Sequence, residues 1–194
     1  WLHTPAYEAS YLNSQPLLFL FKQGRNTIEL EGIRGEVMLG DVYIQKPRKL
    51  PTYAEYFEGL TSHSGQNPAL IKIEAEKMFP RNDSSIRLKN DQDPAVTPYD
   101  TRIRHLNTID GVSFSKGGQE ITWSFTVPES GLYKIAFKYK QDRKYDLPVF
   151  RRIALDSRVL WEELDNYPFP FSSLWSYEIL STPDGQPFLF FLEK

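Results

Sequence analysis

Two stretches of the chain carry residue types that could do chemistry. Glu74 and Glu76 stand two apart in Ile71-Lys-Ile-Glu-Ala-Glu76, where Ile71, Ile73 and Ala75 are apolar. On a strand this spacing puts both carboxylates on one outward face, about 7 Å apart along the backbone. Two hard oxygen donors, helped by backbone carbonyls and a third acid, could hold Ca²⁺. The same pair also reads as ordinary solvated strand charges. The second stretch runs from Trp161 to Trp175 and includes Asn166, Tyr167, Phe169 and Phe171, flanked by Glu162, Glu163 and Asp165. Flat rings stack on the apolar faces of sugars while amides and acids pair with hydroxyls. Pro168 and Pro170 would stiffen that surface and lower the entropy cost of presenting it. Tyr99, Tyr145 and Asp146 lie in segments that could line the same rim. Against this stands the simpler use of such rings, which is to fill one end of a core. That use is the better one for Phe169 and Phe171, while Tyr167 and Trp175, with their polar handles, fit either.

Catalytic chemistry finds little footing. There is no Gly-x-Ser-x-Gly elbow, no His-Glu-x-x-His, no phosphate-binding loop and no dinucleotide fingerprint. The three histidines are scattered, with only His105 near an acid, Asp110. A glycosidase pair drawn from Glu162, Glu163 or Asp165 has no support beyond the abundance of acids. With no cysteine there are no disulfides or thiolate sites. A net charge of −2 offers no basic field to nucleic acid or to an anionic membrane. The apolar run Leu17–Phe21 is too short to span a bilayer.

The elements that must position these residues read mainly as strands. Four Trp, eleven Tyr and thirteen Phe, with 14 Pro and 11 Gly in 194 residues, favour short strands joined by turns. Ile121, Trp123, Phe125 and Val127 alternate with polar residues, Pro128 to Gly131 form a turn, and Tyr133, Ile135, Phe137 and Tyr139 alternate again. That pattern predicts a hairpin. Further strands are expected at 28–30, 37–45, 71–76, 86–88, 149–155 and 175–180. Thr52-Tyr-Ala-Glu55 is a capping box, and it predicts one short linker helix over about 53–58, stopped by Gly59. The polar stretch 61–69 marks a boundary.

The chain also repeats itself. Trp1, Tyr7-Glu8, Gln15-Pro16 and Leu-Phe at 18–19 are matched in order by Trp175, Tyr177-Glu178, Gln186-Pro187 and Leu-Phe at 189–190. On this basis residues 1–47 read as the closing strands of one β-sandwich, 48–69 as a linker with its helix, and 70–194 as the opening and middle strands of a second. Residues 24–45 could complete the second sandwich within one chain, or between chains as a strand-exchanged homodimer. The start at Trp1 without a secretory leader reads as a piece of something longer.

The blocks 73–78 (IEAEKM), 111–140 and 151–160 (RRIALDSRVL) resemble carbohydrate-binding modules of families 6 and 35. The similarity is most specific over 121–139. It implies an all-β, galactose-binding-like jelly-roll β-sandwich. It further implies that Glu74 and Glu76 hold a structural Ca²⁺ together with an Asp of the closing strand, for which Asp41 is the matching position. Leu155-Asp156-Ser157 stands where the family has Leu-Asp-Gly. The segments 166–175 and 50–56 look instead like large Gram-positive surface lipoproteins, in which such sandwiches accompany the solute-binding domain of a sugar ABC transporter. The expectation is therefore a non-catalytic, extracellular module, attached to the cell surface, that binds carbohydrate weakly through Tyr167, Trp175, Asn166 and Tyr145. The alternative is a structural spacer that touches no sugar.

Overall fold

The computed structural model describes residues 6, 17–33, 38–47, 49–60 and 70–194. The first copy's Trp1, Tyr7-Glu8 and Gln15-Pro16, position 37 and the connector 61–69 lie outside the described residues.

In chain order the elements are helix α1 (Tyr53–Glu58), a 3₁₀ turn (Ala75–Lys77), β1 (Leu88–Lys89), β2 (Thr108–Ile109), β3 (Gly131–Tyr133) and β4 (Ala136–Gln141). They continue with β5 (Val149–Arg151), the one-turn helix α2 (Glu162–Asp165), β6 (Tyr167–Phe169), β7 (Ser172–Ile179) and β8 (Phe190–Leu192). The strands form four antiparallel pairs, β1–β2, β3–β8, β4–β7 and β5–β6. The fold is thus mainly β, with small antiparallel sheets among the described residues.

The helix forms where the capping box places it. Thr52 Oγ1 accepts the Glu55 N–H at 3.3 Å, and Glu55 Oε2 accepts the Thr52 N–H at 2.8 Å. Its role is larger than that of a linker, because α1 lies on the main core. Tyr53 packs on Phe188 with centroids 4.6 Å apart, and Tyr56 packs on Trp161 at the same distance. That core joins Tyr53, Trp161, Leu164, Tyr167, Phe169, Leu180, Phe188 and Phe190. Trp161 has no exposed surface. Each buried ring of this kind contributes about 2–3 kcal/mol of burial. The tilted and edge-on ring pairs add directional attraction.

The second copy of the repeat is the backbone of this arrangement. Phe188 and Phe190, two apart, both turn inward, as the period of an extended chain requires. The chain reaches them from β7 through a tight turn in which Gly185 N–H donates to Thr182 O at 2.8 Å. Gly185 sits at φ +85°, a conformation that favours glycine. Phe188 N–H then donates to Leu180 O at 2.8 Å, closing a hairpin.

The other expected hairpin does not form. Among the described residues, 121–127 make one isolated bridge, Arg81↔Ile121, while β3 pairs with β8 and β4 pairs with β7. The turn at 128–130 is present, but the strands after it find partners at the far end of the chain. Thr122 instead exchanges backbone bonds with Phe79 and Pro80, at 2.7 and 3.0 Å. The expected strand 71–76 is also replaced, since Ala75–Lys77 coils into the 3₁₀ turn and leaves Ile73 exposed. Residues 28–30 and 38–45 are neither strands nor covered.

Candidate functional site

The residues expected to present rings to a sugar divide sharply. Tyr167, on β6, is only 4% exposed. Its hydroxyl donates to Glu178 Oε1 at 2.7 Å and accepts the Ser181 N–H at 3.1 Å, so the polar handle is spent inside the molecule. Burial raises its phenol above the ordinary tyrosine range, with the Glu178 hydrogen bond acting in the same direction. A ring so placed has no free face for a ligand. Phe169 is buried against Tyr139 and Phe137, edge-on to both. Trp175 on β7 is half-buried, with its indole N–H enclosed. Asn166 is half-buried at the end of α2, where its backbone (φ −149°, ψ 56°) leaves the helix for β6.

Tyr145 differs, being 80% exposed. It sits on the loop after β4, and that loop is tied down by one buried side chain. Gln141 Nε2 donates to Lys144 O (3.2 Å) and Leu147 O (2.8 Å), while its Oε1 accepts the N–H groups of Arg143 (3.1 Å) and Lys144 (2.8 Å). The amide thereby uses both of its donors and both acceptor lone pairs. Asp146 follows at φ 59°, the left-handed conformation that Asp tolerates in turns. Tyr145 packs edge-on to Phe171 at 5.1 Å. The two rings make a small, pre-set aromatic edge flanked by Asp142, Arg143 and Asp146. Nothing in the sequence marks Gln141 as the organiser; a glutamine at a strand end carries no signal of its own.

The acids are mostly engaged. Glu74 is ion-paired with Lys72 at 2.7 Å, and Thr97 Oγ1 lies 3.4 Å from both of its oxygens. Glu76 lines a pocket of about 350 Å³ with Met78, Phe79, Pro80, Arg81 and Leu88. Asp41 lies on an exposed segment and accepts a bond from the Tyr43 hydroxyl at 3.3 Å. The 3₁₀ turn at 75–77 removes the common strand face assumed for Glu74 and Glu76. No group of three His, Cys, Asp or Glu side chains is assembled among the described residues.

Glu163 accepts the Tyr53 N–H at 3.1 Å and anchors α1, and Asp165 is paired with Arg152 at 2.6 Å. Asp110 caps its own turn through Ser113 N–H at 3.2 Å. Arg151 packs over the Phe114 ring at 5.0 Å and donates to Phe150 O and Phe114 O; burial lowers its pKa. Asp83 is held down to about 2, first by the Ser85 N–H and then by Gln119. These are loop-fixing contacts, and Asn107 adds another set through Asp91 and Pro98.

No family model matches the sequence, and no curated protein or solved structure matches it significantly.

Proposed function

We propose that the chain is a non-catalytic β module of an extracellular, cell-surface carbohydrate-handling protein of the sugar ABC transporter type, in which it serves as a structural unit and not as a sugar receptor. The observation that carries this reading is the fate of the aromatic segment. Trp161, Tyr167 and Phe169 are core, and Tyr167 spends its hydroxyl on Glu178 and Ser181. The resemblance of 111–140 to carbohydrate-binding modules supports the setting.

One observation favours a second reading, weak glycan stacking at a different place from the expected one. Tyr145 is exposed, edge-packed on Phe171 and held by Gln141. A glycan array separates the two. The structural reading expects a flat array for the unaltered chain. A signal abolished by Tyr145→Ala and retained by Trp175→Ala would establish the second reading instead.

A further inference from the structure

The open edges of the small sheets differ in how they are guarded. An unpaired strand edge is a template for another strand, and proteins usually cover it. The β8 edge away from β3 is covered by two tyrosines of α1. Tyr53 Oη accepts the Leu189 N–H at 3.0 Å, and Tyr56 of the same helix packs on the Trp161 ring beneath. Beyond its ladder with β7, β4 has no backbone partner among the described residues. One face of β4 holds Phe137 and Tyr139, half-buried over Phe169; the other carries Lys138 and Lys140, both exposed, with Lys138 over the Tyr177 ring and donating to Ala95 O, and Lys140 3.7 Å from Asp142.

Residues 27–31 have the complementary pattern. In Thr27-Ile-Glu-Leu-Glu31, Ile28 and Leu30 alternate with Glu29 and Glu31, and all are exposed. Neither glutamate is ion-paired among the described residues. The segment starts from a fixed turn, in which Asn26 Nδ2 donates to Lys22 O (2.8 Å) and Gly24 O (3.0 Å), with Gly24 at φ +101°. Added to the β4 edge, its two aliphatic side chains would lie beside Phe137 and Tyr139. Its two glutamates would stand opposite Lys138 and Lys140 on the wet face, a favourable cross-strand pairing. The outward side chains of β7, Tyr177 and Ile179, offer no such charge match.

We infer that residues 27–31 of one copy of this chain add as a strand to the β4 edge of a second copy, giving a strand-exchanged homodimer. The chain's own segment is not seated on its own β4, and the donor and acceptor are present in every copy, as an exchanged pair requires. This inference is independent of whether sugar is bound.

Sedimentation velocity over a concentration series tests it, with two charge-reversed variants. Glu29→Lys/Glu31→Lys and Lys138→Glu/Lys140→Glu should each weaken self-association about tenfold. An equimolar mixture of the two should restore it, because each variant's donor then meets a matching acceptor on the other. A monomer at every concentration would overturn the inference, including one in which 27–31 is protected from hydrogen exchange by closure within its own chain. A dimer indifferent to both reversals would do the same. Because the chain has no cysteine, a Glu29→Cys chain mixed with a Lys138→Cys chain gives an independent readout. The expected product under oxidation is the disulfide-linked heterodimer, and its absence by mass spectrometry counts against a parallel addition that sets Glu29 opposite Lys138 and Glu31 opposite Lys140.

Discussion

Tyr167 carries the sharpest consequence at the residue scale. Its hydroxyl bridges Glu178 and the Ser181 N–H in the interior. Tyr167→Phe keeps the ring and removes the bridge, so it should cost about 1–3 kcal/mol in urea unfolding. The pH dependence has a definite sign. Burial is the leading cause that raises the phenols of Tyr56, Tyr139 and Tyr167, so the folded chain holds those protons longer than the unfolded one. Their contribution is complete below the ordinary tyrosine range near 10 and is lost as pH rises through it. Stability should therefore fall on the alkaline side, less steeply in Tyr167→Phe. Asp83 works in the opposite sense. Its folded value of about 2 lies below the ordinary 3.8, so its contribution is present above that value and is lost as pH falls towards 2. Asp83→Asn should flatten the acid limb of a melting-temperature profile over that window.

At the element scale, α1 was legible because a capping box is a local device whose parts lie three residues apart. Thr52→Ala should cost about 1 kcal/mol, and Tyr53→Phe should cost more than a surface change because it leaves Leu189 N–H without its acceptor. The existence of β7 was also legible from the run 175–180, although the strand begins earlier, at Ser172. The partner of each strand was not. The runs 121–127 and 133–139 alternate equally well whether they pair with each other or with distant segments. Pairing is decided by cross-strand packing, which single-strand periodicity does not encode. The turn at 182–186 offers a contrast, because Gly185 at φ +85° is a local requirement. Gly185→Ala should destabilise the hairpin of residues 180–188 by about 1 kcal/mol.

On the scale of the whole molecule, one fact organises the rest: the aromatic residues of the C-terminal third build the core. The sequence shows rings, prolines and acids in one stretch, and that composition suits a binding platform and a core equally. What separates them is whether each polar handle meets a partner inside, as Tyr167 does. The same holds for the paired acids. Glu74 and Glu76 promised a shared face, and a single 3₁₀ turn removed it. The strand-exchanged dimer belongs to this scale too, since it gives a use to the exposed Ile28 and Leu30.

The most direct test is a comparison of Trp161→Ala, Tyr167→Ala and Tyr145→Ala by urea unfolding at neutral pH. If the aromatic segment is core, the first two should each lose about 3–5 kcal/mol, while Tyr145→Ala stays within about 0.5 kcal/mol of the unaltered chain. A Tyr167→Ala chain as stable as the original, and impaired instead in binding a glycan, would contradict the account.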